Sequence, residues 1–192
     1  MTSAIRVYGS GSQILDVHAT NVRNGIGVYF QDAQSSGNHF RRVQISKCFY
    51  GLVFGSGLDK DHANIFEDGV IEDITCDSVT FVGYGELLGS LVKNAGVGCV
   101  TSSLAIPGAG LRCHRNMVGG VISGNVVQDC CGMILDVDMC ANFNVSFNTF
   151  SRPGHVPHGG HAHCVGATTV TLLDSQKFHI EGNFIQNDVP SN

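Results

Sequence analysis

Two aspartates, Asp136 and Asp138, stand two residues apart in the segment CGMILDVDMC at 131–140. Side chains alternate between the faces of an extended strand. Met133, Leu135, Val137 and Met139 are therefore expected on one face, and Ile134, Asp136, Asp138 and Cys140 on the other. Carboxyl groups at i and i+2 lie about 6.6 Å apart along a strand, inside the roughly 6.5–9.5 Å that separates acid from base in inverting glycosidases. One would protonate a leaving oxygen and the other would activate water. A solvent-facing strand that merely needs polar side chains has the same pattern, so both readings stand at this point.

The segment GLRCHRN at 110–116 is expected to stack beside that strand, with Leu111 and Cys113 inward and Arg112 and His114 outward. The two cations would then face Asp136 and Asp138, holding an acidic sugar or separating the two carboxyls into acid and base. An ordinary surface ion pair would have the same appearance. A second cluster is the Gly-rich run HVPHGGHAH at 155–163, with His155, His158, His161 and His163, followed by Cys164. Three roles fit it: metal coordination by neutral imidazoles, sugar contact by His158, His161 and His163, or a packing and subunit-contact surface. No cofactor or metal is assigned. His18, His39, His62 and His179 are scattered, and LDKDH at 58–62 lacks the Gly and terminal Glu of a calcium loop.

These side chains need a scaffold, and composition limits which. The 192 residues fit one domain, 1–192, which opens so soon into strand-like sequence that a segment of a longer chain is one reading. Eleven Lys and Arg against 16 Asp and Glu give a net charge of −5, with only 14% of residues charged, which argues against a nucleic-acid partner. No apolar run reaches the roughly 18–20 residues of a membrane-spanning helix, and no membrane partner is expected. Gly is abundant (25) and Pro scarce (4), as tight turns between short strands require. The eight Cys show no paired C-x-x-C spacing and sit mostly in apolar runs. They read as reduced, buried small hydrophobes, and a disulfide framework is not required at this size.

Segments rich in Val, Ile, Phe and Thr alternate with clusters of Gly, Asn, Asp and Ser, and no helical period is sustained. The segments also resemble one another. ILDVHATNVRNGIGVYF at 14–30, FRRVQISKCFYGLVF at 40–54 and GVISGNVVQDCCGMILDV at 120–137 share one order of apolar, polar, Asn and Gly positions. Partial copies follow at 68–81, 143–150 and 178–187. With Val17, Val43, Ile71, Ile122, Val145 and Ile180 taken as equivalent, every step is one coil except that from Ile71 to Ile122, which reads as two. Such units cannot bury an inner face alone and must stack. Asn125, Asn148 and Asn183 suit corners by tolerating left-handed backbone and by laddering between coils. Longer inserts at 31–39, 55–68, 93–110 and 151–163 read as loops on the stack.

This pattern resembles the single-stranded, right-handed parallel β-helix of the pectin-lyase-like superfamily, an all-β solenoid with loop inserts. SSGNHFRRVQISKCFYGLVF at 35–54 and HANIFEDGVIEDITCDSVTF at 62–81 are similar to rungs of bacteriophage tailspikes and capsule depolymerases. The resemblance implies a homotrimer, extracellular or virion-associated, that recognises a bacterial surface polysaccharide and degrades it as a glycoside hydrolase. It does not by itself imply catalysis. The polygalacturonase pattern is not intact: His158-Gly159-Gly160 is a partial echo and no Arg-Ile-Lys strand occurs. The Asp-Pro-His signature of mannuronan epimerases is also absent. A non-catalytic structural or adhesive stalk is the competing expectation, and few Lys or Arg are present to serve a lyase.

Overall fold

Strands of three to six residues bury one apolar face only if something of the same shape lies on each side, and winding the chain into stacked coils supplies it. A computed structural model describes residues 2–22, 25–30, 35–55, 60–96, 108–154 and 169–186. The described chain makes seven coils of three strands each. The first two are β1 (Thr2–Val7), β2 (Gln13–Leu15), β3 (His18–Thr20), then β4 (Gly25–Phe30), β5 (His39–Arg41), β6 (Gln44–Ser46). Next come β7 (Tyr50–Phe54), β8 (Asn64–Glu67), β9 (Val70–Ile74), and β10 (Val79–Phe81), β11 (Gly85–Leu88), β12 (Leu91–Ala95). The fifth and sixth are β13 (Leu111–His114), β14 (Gly120–Ser123), β15 (Val126–Cys130), and β16 (Leu135–Asp138), β17 (Phe143–Ser146), β18 (Thr149–Pro153). The last is β19 (Val170–Leu173), β20 (His179–Glu181), β21 (Phe184–Gln186).

Every third strand pairs in parallel, giving three seven-stranded sheets: sheet A from β1 to β19, sheet B from β2 to β20 and sheet C from β3 to β21. The fold is a parallel β-helix, as the repeats predict. Its core is built from inward rows, one residue per coil. Sheet A contributes Phe30, Phe54 and Phe81 in one such row, with Phe30 and Phe54 stacked 5.3 Å apart and Phe54 and Phe81 4.9 Å apart. Sheet B contributes Phe40, Phe66, Leu87, Ile122 and Val145, and sheet C contributes Ile45, Ile71, Val92, Val127 and Phe150. All of these are buried.

The repeat phase needs correction. Ile122, Val145 and Ile180 share one row of sheet B, but Ile71 belongs to sheet C. Val17 and Val43 stand at the corner between those sheets, where their carbonyls accept from Gln44 and Val70. Inward residues of adjacent sheets follow one another closely in each coil, so an apolar pattern alone cannot assign them to a sheet. The Asn ladder is present: the amides of Ser90, Asn125 and Asn148 each donate to Oδ1 of the Asn one coil on, all at 2.9 Å. The left-handed backbone falls one residue earlier than expected, at Gly124 (φ 68°), Phe147 (φ 56°) and Gly182 (φ 60°). A second ladder, not expected from the sequence, links Ser12, Asn38 and Asn64.

Coil lengths vary by insertion at the corners. Equivalent corner positions lie 21 residues apart from Gly69 to Ser90 and 23 from Asn125 to Asn148, but 35 from Ser90 to Asn125 and again from Asn148 to Asn183. In both 35-residue coils the extra length falls between a sheet C strand and the next sheet A strand, at 97–107 and 155–168. The disulfide-bonded Cys76 and Cys131 stand at this same corner, just after β9 and β15. They correct the reading of uniformly reduced cysteines, which holds for the free, buried Cys48, Cys113, Cys130 and Cys140.

Candidate functional site

In β16 the alternation of Leu135, Asp136, Val137 and Asp138 buries both apolar residues and turns both aspartates outward. It fails at the strand ends, where the chain turns: Ile134 and Cys140 are buried, while Met139 (φ 51°) is exposed. Neighbouring β13 runs parallel with Arg112 opposite Asp136 and His114 opposite Asp138. Leu111 and Cys113 are buried beneath them. Register thus brings the four residues together on the outer face of sheet A, as an Arg–Asp pair and a His–Asp pair side by side.

The pairs differ in depth. Nε of Arg112 donates to Oδ2 of Asp136 at 3.0 Å, with the Asp136 side chain 17% exposed. His114 Nδ1 lies 3.0 Å from Oδ2 of Asp138, and these side chains are 47% and 28% exposed. Among the described residues, both aspartates make these contacts through Oδ2. Arg112 also reaches back one coil: its Nη1 donates at 3.0 Å to Oδ2 of Asp77, a carboxylate only 5% exposed, whose Oδ1 accepts the Ala109 amide at 2.9 Å. Asp77, Arg112 and Asp136 therefore tie three consecutive coils together.

Burial pushes the Asp77 carboxyl above its ordinary value, and the Arg112 guanidinium opposes the shift without overcoming it. The Tyr50 hydroxyl is raised by the same apolar surroundings and by the Asp77 charge. Nη2 of Arg112 and Oγ1 of Thr80, its row neighbour in β10, are buried without a protein partner. Strand alternation gives no direction for Asp77, which precedes β10 at a corner. The available signal is the one charged residue between Cys76 and the strand of Val79 and Phe81.

His158, His161 and His163, with His155 and Cys164, lie outside the described residues. The described chain resumes at Thr169, just before β19, whose Thr171 pairs with Asp136. Among the described residues, no three His, Cys, Asp or Glu side chains gather as a metal-ligand set. Of the scattered histidines, His39 pairs with Glu67 at 2.8 Å and His179 with Glu181 at 3.2 Å, both on sheet B. Comparison with family models, curated proteins and solved structures finds no match to this chain.

Proposed function

We propose that this chain is a tailspike-like β-helix that binds a bacterial surface polysaccharide and hydrolyses it on the outer face of sheet A, with Asp136 and Asp138 as the reacting carboxyls. The observation that carries the reading is the register of β13 and β16, which sets Arg112 on Asp136 and His114 on Asp138. Asp136, held by a guanidinium that Asp77 fixes from behind, is the base. A water at its Oδ1 gives it a proton as the water oxygen bonds the anomeric carbon. The glycosidic C–O bond breaks, and the leaving oxygen takes a proton from Asp138, the general acid. The roughly 6.6 Å strand spacing leaves room for that water and predicts inversion. Solvent exchange restores both carboxyls.

Hydrolysis is favoured over β-elimination because elimination needs an uncommitted cation to neutralise a uronate, and Arg112 is already shared by two carboxylates. The assembly is proposed to be a homotrimer acting outside the cell or on a virion, and disulfide-bonded Cys76 and Cys131 suit an oxidising compartment. One observation favours a non-catalytic stalk instead: Arg42 and Asp16 form a similar inter-coil pair, 2.7 Å apart, at an exposed corner with no other site character. Replacement separates the two readings. Asp136→Asn and Asp138→Asn should each lower glycan cleavage by about 100-fold or more while leaving the melting transition in place; unchanged turnover in both variants would remove the catalytic assignment.

A further inference from the structure

The outer row of sheet A that contains Arg112 and Asp136 continues to the other end of the stack. Residue by residue it runs Arg6, Tyr29, Val53, Thr80, Arg112, Asp136. Arg6 and Tyr29 meet Tyr8 there. The Arg6 guanidinium carbon lies 6.0 Å from the Tyr8 ring centroid and 5.9 Å from that of Tyr29. Nη1 of Arg6 also donates to the Tyr8 hydroxyl at 3.1 Å. Tyr8 is 50% exposed. A Cβ on Gly55 would come within 2.4 Å of the Tyr29 ring, so the absence of a side chain there lets the ring lie close to the backbone.

We infer that Tyr8 and Tyr29, spaced by Arg6, form a sugar-stacking subsite that binds a distal unit of the same polysaccharide whose reacting bond lies at Asp136. This rests on the glycan reading proposed above and adds to it a second contact and a direction. Five inter-coil steps of about 4.8 Å put the two ends of the row about 24 Å apart, so the occupant is a linear oligosaccharide lying along the stack axis. The chemistry suits a sugar. An exposed ring accepts the apolar C–H face of a pyranose, and a phenol whose oxygen already accepts from Arg6 is left to donate its own proton to a sugar oxygen. Tyrosine loses few rotamers on binding, and the Arg6 contacts fix the rings beforehand. Between the two ends the row holds Val53, Thr80 and Arg112.

The test uses the full chain carrying Asp136→Asn, so that ligand survives, and size-fractionated fragments of a panel of capsular and O-antigen polysaccharides as probes. Tyr8→Ala and Tyr29→Ala should each weaken binding of fragments longer than the span by about tenfold and leave disaccharide binding unchanged; Tyr8→Phe should lose less than Tyr8→Ala. Tyr8 is a surface residue, so its replacement tests the subsite even if Tyr29→Ala lowers the melting temperature. Equal affinity of all three variants for long fragments would overturn the subsite and leave the proposed function standing, as would equal weakening of long and short fragments. Failure of the chain with intact tyrosines to bind any fragment would overturn the glycan reading itself.

Discussion

Burial raises the Asp77 carboxyl because its ionised form gives up water for a corner that returns only one amide and one guanidinium. A carboxyl whose value is raised on folding stabilises the fold most below its unfolded value of 3.8, and that contribution is lost as pH rises through the folded value. Stability from this group therefore falls from about pH 4 upward. Asp77→Asn keeps an acceptor for Ala109 and removes the titration, so its urea midpoint should fall less, or rise more, with pH across this window than that of the unsubstituted chain. An identical slope in both would contradict the assignment. Asp77→Ala should cost about 1–3 kcal/mol by leaving the Ala109 amide unsatisfied. At this scale the sequence was informative where strands hold the residue. Alternation alone gave the outward direction of Arg112, His114, Asp136 and Asp138, whereas Asp77 sits at a corner that alternation does not reach.

At the level of elements, the corners hold the coils in register. Oδ1 of Asn148 accepts from both the amide and the side-chain Nδ2 of Asn125, and its own Nδ2 donates to the Ile122 carbonyl and to Oδ1 of Asn183. Asn148→Ala removes these bonds from a buried position and should cost about 2–4 kcal/mol in chemical unfolding, with a smaller loss contradicting the ladder's role. Gly51 makes a different demand: a Cβ there would stand 2.4 Å from the Ser78 carbonyl oxygen of the next coil. The repeated Asn and Gly made the coil legible in the sequence. Phase was not legible, because Val17, Val43 and Ile71 are all apolar yet occupy corner, corner and sheet C. The second ladder runs through Asn38 and Asn64, each two residues before an inward Phe (Phe40 and Phe66), and Asn64 lacks the preceding Gly that marks Asn125 and Asn183 as corner residues.

For the whole molecule, one core runs the length of the stack, and its cysteines divide by position. Burial raises the thiols of Cys48, Cys113 and Cys140, and that of Cys130 is pushed up to about 12. None should react with a thiol reagent in the native chain, and all four should react once it is unfolded, as peptide mass spectrometry would show; native labelling at any of them would contradict the packing. Reduction of the bonds at Cys76 and Cys131 should lower the melting temperature, since cross-links restrict the unfolded chain. This stack is proposed to carry a polysaccharide hydrolase on sheet A. The most direct test is to incubate the purified chain with a panel of capsular and O-antigen polysaccharides, following new reducing ends and the absorbance of unsaturated uronates together. Hydrolysis at Asp136 and Asp138 predicts new reducing ends with no such absorbance. Absorbance rising with the reducing ends would mean elimination, and silence across the panel would leave a stalk; either contradicts the account.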